Sequence, residues 1–305
     1  MNGRSGATAR AKRASQVCLL LLLTVLCRPV AVLAGGESPA GPGDALAVYA
    51  ESERPALDYE ATVTVRLPLG SGSFDVISAG GVTYLRPSKA PGLPPGRAAA
   101  AGFAPEAERL FANELLRQNY TVDIKNGPVL LGRETWEITL TPRWQGSPSR
   151  RAIIDRATRV RMVVEDRDHA GRVLQRREVI SFQPAPGRQA ARPVRRAGGK
   201  ERWLSAEQAA STVGPWLRYP RYLPPGYRLV GVRVGPKPGG FVHLAFFDGL
   251  GVISLYEREV PWWARPGVRE GAERGGFAWT HDGIRFYLVG DVPPEELRRI
   301  ADSLR

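Results

Sequence analysis

The chain is poor in cysteine and histidine, which limits the chemistry it can carry. Among 305 residues there are two cysteines and three histidines. Both cysteines, Cys18 and Cys27, fall in an N-terminal segment that we expect to be removed, so the remaining chain is predicted to lack disulfides, thiol nucleophiles and cysteine-ligated metals. The histidines have no partners at metal-ligand spacing, and we expect no metal site at His169, His243 or His281.

Motifs for catalysis are also missing. The sequence has no phosphate-binding loop, no dinucleotide-binding glycine motif, no nucleophile elbow and no zinc-protease motif. Asp166 and Asp168 could share an ion, but calcium needs more oxygen ligands than this stretch offers. Glu295 and Glu296 lie at a predicted helix start, where negative charge is favourable for structural reasons. We therefore predict a protein that is not an enzyme, with no catalytic residue and no cofactor.

The first 34 residues have the pattern of a secretory signal. Four basic residues precede an apolar run from Val17 to Cys27, and small residues precede a cut after Ala34. The run is too short to span a bilayer, and Arg28 follows it. We expect export to the periplasm or the extracytoplasmic face of the membrane, with cleavage after Ala34. A retained anchor and a lipoprotein cut before Cys27 are the alternatives.

The net charge of +13 is unevenly distributed along the chain. Removing the signal leaves 38 basic and 30 acidic residues, and residues 184–202 hold six basic residues and one acid. This stretch is interrupted by proline and glycine, so it is predicted to be a solvated linker. Residues 143–161 hold six arginines and one acid, Asp155. We interpret them as a solvated strand edge, with an acidic protein segment or anionic lipid head group as the alternative contact.

Hydrophobic periodicity predicts two domains of the α+β class. Residues 35–43 are predicted to be a disordered leader. Residues 44–183 alternate as antiparallel strands around a helix that ends near Gln118, with a hairpin turn at Gly70 to Ser73. Residues 203–305 form a small α+β domain with a capping box at Ser205, hairpin turns at Asp248 and Asp282, and an amphipathic terminal helix. The interior of the first domain could be a solid core or a lipid cleft, because periodicity does not separate these.

Two groups of side chains are candidate partner contacts. Arginines of the linker suit an acidic protein segment, whereas the adjacent tryptophans could be core residues or an exposed anchor. Nucleic acid is not expected as a partner, because Trp144 is the only aromatic residue among the arginines of 143–161 and export removes most nucleic acid from reach. The predicted contact residues are Arg188, Arg192, Arg195, Arg196, Trp262 and Trp263.

Several phrases resemble one family of exported regulators. The phrases in the first domain are Asn119-Tyr120-Thr121-Val122, Gly132-Arg133-Glu134-Thr135-Trp136, Leu140-Thr141-Pro142-Arg143, the turn at Asp155, and Gly171-Arg172-Val173-Leu174. Those in the second are Leu223-Pro224-Pro225-Gly226-Tyr227, the run from His243 to Leu250, and Val289-Gly290-Asp291-Val292-Pro293. Together they resemble the periplasmic sigma-E factor regulatory proteins (the RseB/MucB family), whose N-terminal domain is similar to the lipoprotein carrier LolA.

The resemblance implies a fold and a function. The N-terminal domain would be an unclosed antiparallel β-barrel over helices, followed by the small α+β domain. Such regulators bind the periplasmic part of a membrane-bound anti-sigma factor and shield it from proteolysis, and lipid-like stress signals release them. The alternative is a carrier of lipid or lipoprotein acyl chains that uses an apolar cleft of the first domain. The sequence departs from the family at Arg159, where glycine is usual, and near Ile153, where a large aromatic residue is common.

Overall fold

A computed structural model of the chain describes residues 42–53, 55, 57–68, 70–79, 82–87, 106–184, 203–235, 241–260, 271–273 and 276–304. All of them belong to one compact unit, Ser38–Arg305. The predicted signal at 1–34 and residues 185–202 of the predicted linker lie outside the described residues, so both stay predictions. The predicted disordered leader at 35–43 is wrong at its end, because Pro42 and Gly43 begin the first helix. The rest of that leader lies outside the described residues.

The first half of the chain forms an eight-stranded antiparallel sheet. Its strand order is β3-β2-β1-β8-β7-β6-β5-β4, so β3 and β4 are separate edges and the sheet is unclosed. The elements are α1 (Pro42–Glu51), β1 (Tyr59–Leu67), β2 (Gly70–Ala79), β3 (Val82–Pro87), α2 (Glu106–Asn119), β4 (Tyr120–Asn126), β5 (Thr135–Pro142), β6 (Ser149–Asp155), β7 (Arg161–Arg167) and β8 (Val173–Pro184). The predicted unclosed antiparallel barrel is thereby confirmed as a fold class.

One side of this sheet is filled by the first helix. Alternation in β5 places Trp136, Ile138 and Leu140 on one face, and all three are buried. Leu46 and Tyr49 of α1 belong to the same core cluster. These buried side chains form a hydrophobic core over β4, β5 and β6. A separate small cluster at β1 and β2 contains Val65, Phe74 and half-buried Val63 and Leu67.

The second half of the chain forms a six-stranded antiparallel sheet with order β12-β13-β14-β11-β10-β9. Its core face packs against both helices through Ala209, Leu297 and Ile300. The predicted capping box at Ser205 is present, because its side chain accepts from the Gln208 N–H and Gln208 reaches back. The elements are α3 (Ala206–Val213), β9 (Arg228–Val234), β10 (Phe241–Phe247), β11 (Val252–Glu259), β12 (Gly271–Glu273), β13 (Gly276–His281), β14 (Ile284–Gly290) and α4 (Pro294–Ser303).

One local prediction differs from the structure, and one strand was not predicted. The turn predicted at residues 70–73 is wrong, since these residues belong to β2 and Leu67 pairs directly with Gly70. Small residues continue the strand here because glycine and serine lie opposite Val65 and Thr64 and leave space for their side chains. The short strand β12 was not predicted, because three residues are too few for alternation to be recognised.

No helix within the described ranges is both long enough and apolar enough to cross a membrane.

Candidate functional site

All six predicted contact residues fall outside the described part of the chain. Arg188, Arg192, Arg195 and Arg196 lie in 185–202, and Trp262 and Trp263 lie in 261–270. They therefore stay predictions. The described residues instead define three structural features that bear on binding: an arginine–carboxylate network, a joint between the two sheets, and an aromatic row on the second sheet.

The interpretation of residues 143–161 as a solvated strand edge is wrong. Strand β6 lies inside the sheet, between β5 and β7. Acids from other elements neutralise the arginines, and a count along a short window of sequence does not include them. Five of the six arginines form ion pairs: Arg150–Asp166, Arg151–Glu137, Arg156–Glu134, Arg159–Glu51 and Arg161–Glu53.

The pair of Arg150 and Asp166 is buried. The Arg150 Nε donates to Asp166 Oδ1 at 2.5 Å, and its Nη2 donates to Oδ2 at 2.8 Å. Its Nη1 also donates to the Tyr49 hydroxyl of α1 at 2.7 Å. Burial alone would raise the pKa of Asp166, but the charge and hydrogen bonds of Arg150 outweigh it and hold that pKa below its ordinary value. The acid is committed to this pair, which leaves it unsuited to hold an ion with Asp168.

A second network runs over the opposite face of the sheet. Glu137 of β5 accepts from Lys125 and Arg151, and Glu165 of β7 accepts from Arg167 and Arg176. The hydrogen bond from Arg151, first, and then that from Lys125 lower the pKa of Glu137 against the opposing effect of burial. The charge on this face is thus internally paired, so it does not form a free basic strip for an acidic partner.

The turn after β6 accommodates arginine at position 159, where the family that the sequence resembles usually has glycine. Arg159 has φ of +62°, a left-handed conformation that glycine adopts without steric cost. Its guanidinium lies 4.3 Å from the ring centroid of Trp136 and pairs with Glu51 of α1 at 3.1 Å. Within the same turn, buried Asp155 accepts from the Thr158 N–H and from Arg133. Arg159 therefore keeps the turn that a glycine would form and adds contacts to the core and α1.

The two sheets meet at the turn between β10 and β11. Asp248 is fully buried, and its Oδ1 accepts from the backbone N–H groups of Leu250 and Gly251. Its Oδ2 accepts from the Tyr120 hydroxyl at 2.9 Å and from the Ser147 hydroxyl at 2.5 Å. Both hydroxyls belong to the first sheet and its loops. One carboxyl group thus shapes its own turn and binds the other sheet.

Backbone contacts reinforce this joint. The Asn119 side chain donates to the carbonyl oxygens of Asp248 at 2.7 Å and Gly226 at 3.1 Å. A Cβ at Gly249 would lie 2.8 Å from the Leu116 nitrogen, so only glycine fits against α2. The sequence predicts Asp248 only as a turn residue. One feature of the sequence pointed to the joint: Asn119-Tyr120 and Asp248-Gly249 occur in two of the phrases that carry the family resemblance.

An aromatic row crosses the face of the second sheet that is turned away from its helices. His243, Tyr256 and Tyr287 are aligned across β10, β11 and β14. The His243 and Tyr256 rings stack at 4.3 Å, and Trp203 packs against His243 at 5.6 Å. Arg233 lies over Trp203, 5.2 Å from its centroid. Polarisable rings beside a guanidinium suit contact with a polypeptide.

His243 is a structural residue of the sheet, as predicted. Its Nε2 lies 3.0 Å from the Ser254 hydroxyl, and burial with neighbouring Arg233 lowers its pKa to about 4. The imidazole is therefore neutral at neutral pH. No group of three potential ligands close enough to hold a metal occurs among the described residues. The described arrangement offers surfaces for binding.

The fold is similar to solved structures of MucB. A structure of MucB in complex with MucA(peri) matches with a TM-score of 0.61 and 18% identity, over 87% of this chain and 98% of that chain. The Pseudomonas aeruginosa MucA/MucB complex matches at 0.60 and 18%, over 87% and 99%. MucB alone matches at 0.56 and 17%, over 86% and 96%.

Sequence comparison adds nothing to these matches. No family model matches the chain, and no curated protein matches it. At this identity the solved structures establish the architecture alone. Their coverage includes nearly the whole of each MucB chain, so both sheets take part in the likeness. The expected fold is confirmed: the chain has an RseB/MucB-like fold.

Proposed function

We propose that the protein is an exported, non-enzymatic regulator of extracytoplasmic sigma-factor signalling that binds the ectodomain of an anti-sigma factor. The observation that carries the proposal is the likeness to MucB in its complex with MucA(peri), over 87% of this chain. Both sheets contribute to that likeness. The joint at Asp248 supports the proposal, because its hydrogen bonds hold the two sheets together.

The mechanism that we propose is occlusion. An anti-sigma ectodomain must enter a protease in an extended, accessible form, and a bound regulator withholds that segment by burying it. The domain at 203–305 and the linker at 184–202 would supply most of the contact, with residues 44–183 as the lipoprotein-carrier-like domain. A lipid-like signal would release the regulator. Four arginines of the linker and the two adjacent tryptophans are the contact residues that we propose.

The test is calorimetric titration of the full chain with the purified ectodomain of an anti-sigma factor from the same organism. We expect one-to-one binding with a dissociation constant below ten micromolar, an order-of-magnitude expectation for a transient regulator. Added regulator should slow cleavage of the ectodomain by the protease that degrades it. Absence of binding at tens of micromolar would overturn the proposal, and binding without protection would overturn occlusion.

A second candidate is lipid or lipoprotein carriage. It is favoured by the cluster at β1 and β2, where Val63 and Leu67 remain half-buried and stand apart from the filled core under α1. Mass spectrometry of lipids that co-purify with the full chain is the test. Stoichiometric acyl chains that are lost in a Val63→Asp variant would support carriage, and a lipid-free protein would overturn it.

A further inference from the structure

The β4–β5 hairpin ends in an exposed apolar tip. Val129 is 68% exposed and Leu131 is 52% exposed, two of the five large apolar side chains that are exposed among the described residues. The backbone of Leu130 exchanges two hydrogen bonds with Arg133, at 3.0 and 2.9 Å, so Leu131 and Gly132 form a two-residue turn. The two exposed apolar side chains lie two residues apart at the end of one hairpin, so the tip is a candidate interaction site.

The backbone of the tip adds a second, independent observation. Leu131 has φ of +50° and Gly132 has φ of +73°, the left-handed pair of a type I′ turn. Asparagine is the residue that usually precedes glycine in such a turn, whereas leucine is disfavoured there. Backbone strain at an exposed position is typical of residues kept for function. Folding alone gives no reason for leucine at this position.

Aromatic and cationic groups form a layer behind the tip. Two residues after Leu131, the guanidinium of Arg133 lies 5.1 Å from the Phe182 ring centroid, and Phe182 packs against Tyr59 at 5.6 Å. Arg156 reaches the same hairpin through Asn126. The apolar tip is thus followed by aromatic rings and guanidinium groups. A membrane–water interface accommodates side chains in the same order, from the lipid towards the water.

We propose that this hairpin tip inserts into the surface of a lipid bilayer. Fluid lipid can surround a convex apex of two residues. A standard protein–protein interface buries ~800 Å² per partner, which is far more than two side chains expose, so lipid is the favoured partner. Two side chains also bind lipid weakly, so the tip would orient a protein that another contact holds near the membrane. The proposal does not depend on anti-sigma binding.

A matched tip variant makes the proposal testable without loss of the fold. Val129→Thr keeps the β-branched shape, and Leu131→Asn places the preferred residue in the type I′ turn. This double variant should unfold at a temperature no lower than that of the parent. Any loss of lipid contact then cannot be assigned to misfolding.

The experiment uses a local probe in the full chain, because the apolar run at 17–27 could itself bind lipid. The two native cysteines are replaced by serine, as Cys18→Ser and Cys27→Ser. A single cysteine is then introduced by Glu134→Cys, at a position beside the tip where the side chain is 78% exposed. An environment-sensitive dye is attached there, and a C-terminal histidine tag holds the labelled protein at phosphatidylcholine vesicles that contain a nickel-chelating lipid, because the tip alone binds lipid weakly. The vesicles also carry a lipid-borne quencher. The control dye is placed at exposed Thr141, at the opposite end of β5.

We expect quenching at position 134 that falls at least fivefold in the double variant, and no quenching at position 141. Equal quenching with both tips, or none with the parent tip, would overturn the proposal. So would a tenfold loss of affinity for the anti-sigma ectodomain in the double variant without any vesicle response, because the tip would then contact protein. Failure of the ectodomain titration leaves the vesicle result unaffected, which separates the two proposals.

Discussion

The Tyr120 hydroxyl of the first sheet donates to the carboxyl oxygen of Asp248 in the second sheet at 2.9 Å, across 128 residues of sequence. Both groups are buried. Burial, first, and then the nearby Asp248 raise the pKa of Tyr120, so the hydroxyl stays protonated and remains a donor. This hydrogen bond joins the two sheets beside an apolar cluster that also spans them, in which Leu115 packs with Phe247.

Tyr120→Phe should weaken this joint. It removes one of the four donors to the Asp248 carboxyl group found among the described residues. Oδ2 then keeps the Ser147 hydroxyl as its donor there, and the free energy of unfolding should fall by about 1 to 3 kcal/mol. Urea unfolding followed by tryptophan fluorescence measures the change. Tyr287→Phe, a half-buried tyrosine on β14, is the matched control and should change stability by less than about 1 kcal/mol. Equal losses in both variants would contradict a special role for the joint.

Two neighbouring arginines should differ sharply in their importance for stability. Arg150→Met leaves Asp166 buried without its cation and should cost about 3 to 5 kcal/mol of unfolding free energy. Arg151→Met removes a pair with Glu137 in which the arginine is 38% exposed, and should cost less than about 1 kcal/mol. Thermal and urea unfolding of both variants provide the comparison. A cost for Arg151→Met as large as that for Arg150→Met would contradict the assignment of the buried pair.

The same arginines show the limit of prediction from local sequence patterns. Alternation predicted β5 with its buried Trp136, and capping chemistry predicted the start of α3 at Ser205, because both signals lie within a few residues. The partners of Arg150 and Arg159 lie 16 and 108 residues away. A count of charge in one window therefore indicated a basic strip where folding produces paired charge.

The joint was missed for the same physical reason. Asp248 satisfies its own turn, so the sequence motif Asp-Gly accounts for the residue completely without its second partner. Nothing in local composition indicates that Tyr120 and Ser147 meet the same carboxyl group. Long-range hydrogen bonds of this kind become visible only when the arrangement of both sheets is known.

A buried carboxyl group should make stability fall as pH rises from mildly acidic values to about 8. Glu257 is fully buried on the core face of β11, and its Oε2 accepts the Arg218 N–H at 3.0 Å. Its Oε1 has no hydrogen-bond partner among the described residues. Burial, opposed by that hydrogen bond, raises its pKa to about 8.

The sign of the pH effect follows from linkage. The unfolded chain loses this proton near pH 4.5, whereas the folded chain keeps it to about pH 8. Stability should therefore fall as pH rises from about 4.5 to 8, by on the order of 4 kcal/mol. Glu257→Gln should remove most of this slope, as measured by urea unfolding at pH 5, 7 and 9. An unchanged slope would contradict the buried carboxyl as its source.

His243 should produce the opposite dependence at acid pH. Burial and Arg233 lower its pKa to about 4, below the value of about 6.5 in an unfolded chain. The unfolded chain binds the proton first, so stability should be complete above pH 6.5 and should fall by on the order of 3 kcal/mol towards pH 4. His243→Gln should flatten this slope, whereas His281→Gln at an exposed site should not. The measurement is thermal unfolding between pH 4 and 7, and equal slopes in both variants would contradict the assignment.

The two groups of proposed contact residues should affect different rate constants of binding to the anti-sigma ectodomain. Replacing Arg188, Arg192, Arg195 and Arg196 by serine removes four positive charges, so association with an acidic ectodomain should slow at least fivefold and lose much of its salt dependence. Trp262→Ala or Trp263→Ala should instead speed dissociation at least tenfold, because an aromatic anchor acts after encounter. Surface plasmon resonance at two salt concentrations separates the two effects. The matched charge control replaces four exposed arginines of residues 203–305 by serine: Arg221, Arg258, Arg285 and Arg298. Slower association in the control and the linker variant alike would mean that net charge, and not the linker, steers the partner.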